Sequence, residues 1–380
     1  MSIKFRCSGC RSKVAAPDEL AGSDVVCPNP GCGRRLNVPN PVLRNGDQVG
    51  SYVIDHMIGS GSMGEVHLAK HQMMNRIVAL KYIPDNNLED PEARKRFQRE
   101  AAHLAKLNHP GFVQALDAGR HGAGQFLAMN LIDGGTAEDA LERHGAFKED
   151  RLIELAKNAA EALCFAWEEH SLLHRDIKPA NIMIDGEGRF VLADMGIAKD
   201  MSDDIHLTAL GTVMGTPYYM SPEQAMGERE LDQRSDIYSL GATLYHLAAG
   251  KPPYDGMEPM QVMATKLRRD PKSLAEHRSD LSSSFIKLIQ DMMAIDPAKR
   301  LRDWQEVIKR VDTLKKRADT SKIAKMSPAG APNPAKIQLQ APANRPRQPQ
   351  PKKKSGCLGL LLAGALLLPA AGYCLFKLVL

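Results

Sequence analysis

Two short segments hold the side chains with the clearest chemistry. His174-Arg175-Asp176-Ile177-Lys178-Pro179-Ala180-Asn181 gathers a carboxylate, an ammonium and a carboxamide, and Asp194-Met195-Gly196 begins thirteen residues after Asn181. Asp176 can accept the proton of an incoming hydroxyl, and Lys178 can neutralise charge on a moving phosphoryl group. Asn181 and Asp194 offer the hard oxygen donors that magnesium prefers. Together these are the groups that phosphoryl transfer from ATP requires.

Such groups work only if other elements hold them against a nucleotide. Upstream, Gly59-Ser60-Gly61-Ser62-Met63-Gly64-Glu65-Val66 fits G-x-G-x-x-G-x-V, where side chains would keep a backbone from closing over phosphates. Alone it is a weak signal, shared with dinucleotide folds. Val78-Ala79-Leu80-Lys81 alternates like a strand ending on a lysine. Residues 91–107 read as an amphipathic helix, with Phe97, Ala101, Leu104 and Leu107 at helical spacing. Gln125-Phe126-Leu127-Ala128-Met129 is an apolar strand that ends before Asp133-Gly134-Gly135. Downstream come Gly215-Thr216-Pro217, Ser221-Pro222-Glu223, Asp236 in Arg234-Ser235-Asp236-Ile237, and Arg300 in Asp296-Pro297-Ala298-Lys299-Arg300.

In this order the segments resemble the eukaryotic-type (Hanks-type) serine/threonine protein kinases that bacteria also encode. The resemblance implies an α+β, bilobal protein kinase fold over residues 50–315, with a small, mostly β N-lobe and a mostly helical C-lobe. ATP would lie between them. Gly59, Gly61, Gly64 and Val66 would cover it, Lys81 would bridge its phosphates and Glu100, and Met129 would guard the back of the adenine pocket. Asp176 and Lys178 would be catalytic, Asn181 and Asp194 would hold Mg2+, and Thr216 would orient the catalytic pair. Asp236 would brace the catalytic loop and Arg300 would pair with Glu223.

The lysine two residues after Asp176 is the serine/threonine pattern, so the expected activity is ATP-dependent transfer to protein serine or threonine. Arg175 directly before Asp176 implies control by a phosphorylated activation segment, with Thr208 and Thr212 as the acceptors. Two positions depart from the family pattern. Met195 replaces the phenylalanine of Asp-Phe-Gly, and Ser221 replaces the alanine of Ala-Pro-Glu. Neither removes a charge or a metal ligand. Methionine is as apolar as the ring but more flexible, so Met195 is expected to loosen the placement of Asp194.

The net charge of +5 invites a nucleic-acid reading, but its location argues against one. Eight Lys or Arg and no acid lie in residues 320–356, which leaves −3 for the rest of the chain. Residues 316–356 are rich in Pro, Ala and Lys and lack the periodicity to build a core, so a disordered linker is expected. After Lys352-Lys353-Lys354, residues 358–376 contain no charge and are dominated by Leu, Ala and Gly. At about 1.5 Å per residue such a helix spans a hydrocarbon core of roughly 30 Å. A transmembrane helix at 357–377 is therefore expected, with the lysines and the kinase on the cytoplasmic side of an inner membrane. It is a single pass at the C-terminal end. Only Lys377 to Leu380 follow, so no extracellular sensor is expected, and no signal peptide is expected at the N-terminus.

At the other end, Cys7, Cys10, Cys27 and Cys32 are spaced C-x2-C-x16-C-x4-C, two pairs that suit a tetrahedral metal held by four thiolates. Residues 1–40 resemble a small zinc ribbon, with structural Zn2+ supplying most of the folding energy. A disulfide or redox pair is the competing reading of the same cysteines, and iron the competing metal. A protein partner for the ribbon is favoured over nucleic acid, because no dense basic cluster accompanies it. Cys164 sits on an apolar helix and is expected in the core. A pseudokinase scaffold, the main rival reading, predicts damage to Lys81, Asp176, Asn181 or Asp194, and all four are intact.

Overall fold

The computed structural model describes residues 2–7, 9–10, 12–38, 42–61, 64–84, 91–122, 124–195 and 217–326. Thr208, Thr212, Thr216 and the expected membrane span at 357–377 lie outside the described residues. Among the described residues no helix is long and apolar enough to cross a membrane.

The chain opens with two short antiparallel hairpins. β1 (Ser2–Arg6) pairs with β2 (Lys13–Pro17), and β3 (Asp24–Val26) pairs with β4 (Arg35–Asn37). Their shared core is small: Ile3, Phe5, Val14, Ala16, Leu36 and Val38 packed around Cys7 and Cys27. Each hairpin turn presents two of the four cysteines.

An antiparallel sheet follows, built from β5 (Gln48–Val49), β6 (Tyr52–Gly61), β7 (Gly64–His71), β8 (Ile77–Ile83), β9 (Ala115–His121) and β10 (Gly124–Asn130) in the order β5-β6-β7-β8-β10-β9. The two-residue period of a strand separates the faces of β8. Val78, Leu80 and Tyr82 join a cluster with Leu43, Tyr52, Ile54 and Phe126. Ala79 and Ile83 face the other way, into the main core, and Lys81 shares their side. Helix α1 (Pro91–Leu104) packs there. Phe97, Glu100 and Leu104 recur at three and four residues and are all buried, so one apolar stripe carries a carboxylate with it. The helix stops at Leu104, short of 107, although Leu107 remains fully buried.

The second lobe is helical: α2 (Ala137–His144), α3 (Glu149–His170), α4 (Pro222–Ala225), α5 (Gln233–Ala249), α6 (Pro259–Lys266), α7 (Ser283–Met292) and α8 (Trp304–Met326). α5 is buried along nearly its whole length, and α3 packs against it and against α8. Cys164 is buried as the sequence leads one to expect. α8 continues to Met326, past residue 315, where the kinase domain was expected to end. Residues 316–326 contain no proline, the first following at 328, so nothing in them stops the helix.

A short hairpin, β11 (Ile182–Ile184) with β12 (Phe190–Leu192), lies between the two segments that hold the chemistry. Its register pairs Ile182 with Leu192, and the Ala193 N–H donates to the Asn181 carbonyl at 2.9 Å. Thirteen residues apart in sequence, Asn181 and Asp194 are thereby made neighbours.

Candidate active site

The roof of the site is the β6–β7 turn. Gly59 pairs with Val66 and Gly61 with Gly64, and the tip at 62–63 lies outside the described residues. Gly64 is required: a Cβ there would sit 2.2 Å from the carbonyl oxygen of Tyr82. The next residue, Glu65, ties this turn to the segment that follows the N-terminal hairpins, accepting the Val42 N–H on both carboxylate oxygens at 2.9 and 3.0 Å.

Lys81 lies across from Val66 on β7 and Leu127 on β10. Its Nζ is 2.8 Å from Glu100 Oε1 and 3.5 Å from Asp194 Oδ1. Burial works against the lysine charge, but Glu100 and Asp194 outweigh it and hold Lys81 above its ordinary pKa. The pair is an ion pair that positions an ammonium in the cleft. Met129 is buried two strands away from β7, on β10, one residue before the chain leaves the sheet.

Below, the catalytic loop is held by its backbone. Asp236, in the first turn of α5, accepts the N–H groups of His174 (2.6 Å) and Arg175 (2.9 Å). Arg175 is left-handed, with φ of 63°, which costs a non-glycine residue about 1–3 kcal/mol unless the surroundings impose it. Burial raises the Asp236 pKa against the pull of His174 and the two N–H donors. Burial likewise lowers the pKa of fully enclosed His174, which stays neutral at neutral pH. The loop carbonyl of Ile177 is caught by the Thr243 hydroxyl at 3.1 Å.

Held in this way, Asp176 meets its neighbours. Lys178 Nζ is 2.8 Å from Asp176 Oδ2, and Asn181 Nδ2 donates to Asp176 Oδ2 at 2.9 Å and to its carbonyl at 2.8 Å. With its amide nitrogen committed, Asn181 has its amide oxygen left for a cation. Asp194, also left-handed (φ 50°), keeps a carboxylate that is 59% exposed. An amide oxygen and a carboxylate are the donor set expected for magnesium. Met195 is buried in the main core, where its apolar bulk stands in for the family ring.

Ser221, the other departure, has a structural use. It N-caps α4: its hydroxyl accepts the Gln224 N–H (3.2 Å) while Gln224 Oε1 accepts the Ser221 N–H (2.9 Å). An alanine offers no such cap. Gln224 Nε2 then reaches the carbonyl of Arg175 at 3.3 Å, tying this helix to the catalytic loop. Glu223 is buried against Arg300, with contacts of 2.8 and 3.1 Å.

Sequence reasoning missed His103, on the last turn of α1. Burial lowers its pKa, and the charges of Lys106, Arg99 and Arg175 lower it further. Its Nδ1 is buried without a partner among the described residues. The only sequence signal was a histidine one turn after Glu100. Also missed was Lys266, the last residue of α6.

The four cysteines converge separately, in the hairpins. Their sulfurs all lie within 4.8 Å of one another, with Cys7–Cys32 at 3.7 Å and Cys10–Cys27 at 3.6 Å. A disulfide needs about 2.05 Å, so these are free thiols. A tetrahedron with Zn–S bonds of about 2.3 Å has edges of about 3.8 Å, which fits. The Gly9 N–H points at Cys7 Sγ (3.3 Å), as a turn wrapped around a bound thiolate would arrange it.

A two-lobed fold with a glycine-rich roof, a lysine–glutamate pair and an Asp–Lys–Asn floor defines a nucleotide-dependent phosphotransferase. A sequence profile of the protein kinase domain matches residues 52–311. Serine/threonine-protein kinase PknB of Mycobacterium leprae is 34% identical over 285 residues, covering 74% of this chain and 44% of the relative. Its counterpart in Mycolicibacterium smegmatis is 36% identical, covering 67% and 41%. The chain thus spans less than half the length of these curated relatives. The crystal structure of the Mycobacterium tuberculosis PknI kinase domain superposes with a TM-score of 0.57 at 29% identity, covering 72% of this chain and 99% of that one. The chain belongs to the protein kinase family, and its kinase domain is of the serine/threonine type.

Proposed function

We propose that this chain transfers the γ-phosphoryl group of ATP to serine or threonine hydroxyls of proteins, from a catalytic domain joined to a zinc-binding N-terminus and a membrane-anchored C-terminus. The observation that supports the catalytic reading is a complete set of polar contacts: Lys81 between Glu100 (2.8 Å) and Asp194 (3.5 Å), and Asp176 between Lys178 (2.8 Å) and Asn181 (2.9 Å). Gly59, Gly61, Gly64 and Val66 enclose the nucleotide, Lys81 orients its phosphates, and Met129 closes the adenine pocket. Asp176 holds the acceptor hydroxyl and takes its proton; Lys178 offsets charge on the group in flight. Asn181 and Asp194 are the ligands for Mg2+, which, when bound, neutralises phosphate charge. Most of the barrier reduction is positioning and preorganised charge.

Thr208, Thr212 and Thr216 belong to the segment between Asp194 and Ser221. Thr216 orients Asp176 and Lys178, and Thr208 and Thr212 are the sites of autophosphorylation. The support is the group of cations around His103, namely Arg99, Lys106 and Arg175, which brings charge from α1 and the catalytic loop together and suits a phosphate on that segment. Cys7, Cys10, Cys27 and Cys32 hold a structural zinc, a reading supported by their tetrahedral spacing. Residues 357–377 anchor the chain in an inner membrane with the kinase on the cytoplasmic face.

The deciding experiment compares purified wild type with Asp176→Asn, using γ-labelled ATP, Mg2+ and a generic acceptor such as myelin basic protein. Label on serine and threonine with wild type and its loss in the variant is the expected result. Equal labelling by both would remove Asp176 from the mechanism, and labelling by neither would remove the kinase reading. Mass spectrometry of the wild-type product tests Thr208 and Thr212; with neither modified, the activation scheme fails.

A further inference from the structure

The end of α6 contains a lysine that no part of the phosphoryl-transfer scheme uses. Val262 and Lys266 lie four residues apart on the face of α6 turned inward, and both are 0% exposed. A fully enclosed ammonium is rare, because removing it from water is costly unless every N–H finds an acceptor. Here the acceptors are main-chain carbonyls of one four-residue stretch. Lys266 Nζ donates to the carbonyls of Pro217 (2.5 Å), Tyr218 (3.5 Å) and Met220. It also lies 5.5 Å from the ring centre of Tyr238, whose ring is shared with Arg300 at 5.1 Å. Burial lowers its pKa to about 7, with Glu223 pulling the other way.

The stretch it holds belongs to no helix or strand. Residues 217–220 connect the segment after Asp194 to Ser221, the cap of α4. Gln224, in that helix, bonds the carbonyl of Arg175, directly before Asp176. Residues 217–220 therefore run beside the catalytic loop, with Tyr219 pinned through its hydroxyl to His246 at 2.6 Å. A protein substrate extends several residues to either side of a hydroxyl placed at Asp176, far enough to meet a stretch that leads into the helix tied to the adjoining Arg175. A small nucleotide, held under β6–β7, does not.

We propose that Lys266 is a positioning residue for the protein substrate: by gathering the carbonyls of Pro217, Tyr218 and Met220 inward, it fixes the wall against which the residues flanking the acceptor hydroxyl bind. The proposal rests on the kinase reading above and adds a specific division of labour. Glu100 and Lys81 serve the nucleotide; Lys266 serves the peptide. A hydrophobic residue of the same length would fill the space but leave three inward carbonyls without donors, and the wall would turn them back to water.

The test is a kinetic split in the full chain, with Lys266→Met and Lys266→Arg compared with wild type. The acceptor is myelin basic protein, and nucleotide affinity is measured separately with a fluorescent ATP analogue. Lys266→Met should lower kcat/KM for the acceptor by roughly tenfold or more, the scale of a small displacement of a positioned reactant, with nucleotide Kd within about twofold of wild type. Lys266→Arg, which keeps the cation and its donors, should recover most of that loss. General destabilisation would move both parameters together, and the arginine variant would not rescue. An acceptor kcat/KM equal to wild type in Lys266→Met overturns the proposal, as does a parallel loss of nucleotide affinity. Should Lys266→Met fail to fold, Lys266→Leu, which likewise has no donor, is read by the same criteria. Wild type that labels no acceptor at all would instead refute the kinase reading, and so the two failures are distinguishable.

Discussion

Replacing Asp236 by asparagine is a near-isosteric change that separates shape from charge at the base of the catalytic loop. The carboxylate accepts two N–H groups, from His174 at 2.6 Å and Arg175 at 2.9 Å. Asparagine keeps one acceptor and turns an NH2 toward the other donor. One hydrogen bond to a charged group, worth about 1.5–3 kcal/mol, is lost, and a buried N–H is left unsatisfied. Against this, the variant no longer buries a carboxylate, which the fold resists strongly enough to raise the Asp236 pKa. The net loss should be about 2 kcal/mol, or roughly 4–8 °C in the melting temperature of a domain this size. The rate should fall further than stability does. Arg175 is left-handed (φ 63°) with its N–H held by Asp236, and relaxing it should move the adjoining Asp176. A shift of about 1 Å in a catalytic group costs on the order of a hundredfold. Circular dichroism melts and steady-state phosphorylation of one acceptor measure both quantities. A variant with the expected melting shift but kcat within about threefold of wild type would refute the idea that Asp236 sets the loop geometry.

The Glu223–Arg300 pair should show in acid. Burial pushes Glu223 up, but the Arg300 guanidinium and the Ser235 hydroxyl prevail and hold its carboxyl below the usual range. A depressed folded pKa contributes stability above the unfolded value of about 4.3 and loses it as pH falls through the folded one. Glu223→Gln should therefore be about 3–5 kcal/mol less stable than wild type at pH 7, narrowing below pH 4, as read by urea denaturation. Elemental analysis should find one zinc per chain, lost in Cys27→Ser. Chelation should collapse the amide NMR signals of the two hairpins, and full retention of those signals would contradict a metal-held fold.

The candidate site residues were legible because phosphoryl transfer fixes both the types and the order of the groups it needs. Asp176, Asn181 and Asp194 stand out by type and spacing, whereas Glu100 on spacing alone reads as one more solvated helix charge and was placed, opposite Lys81, only by the family pattern. The apolar spacing of Phe97 and Leu104 was readable, since periodicity is a local property, but the burial of Glu100 beside them was not. Lys266 and His103 were not. Nothing around them in sequence distinguishes a buried lysine at a helix end, or a histidine on a charged helix, from a solvated one. Their roles come from carbonyls and cations supplied by residues 46 or more positions away in one case, and from the turn of α1 toward Arg175 in the other. Ser221 looked like a loss from the family pattern until its partner, Gln224, was seen to complete a cap.

One physical theme connects the C-lobe residues. Asp236, Lys266 and Arg300 are buried charges, each of which costs folding energy that a well-packed apolar residue would avoid. Each is satisfied largely by main-chain groups: Asp236 by two amides, Lys266 by three carbonyls, and Arg300 by the carbonyls of Arg234 and Ala294 beside its contact with Glu223. Those amides and carbonyls belong mostly to loops, which have no helix or sheet ladder to satisfy them. A loop that must hold a hydroxyl and a phosphate in line cannot be made regular, because helical or extended geometry would aim its side chains elsewhere. It can be made rigid by charges reaching out from helices that are themselves buried, as α5 is. The stability sacrificed in burying those charges is the means by which an irregular backbone acquires a single conformation at the site of reaction.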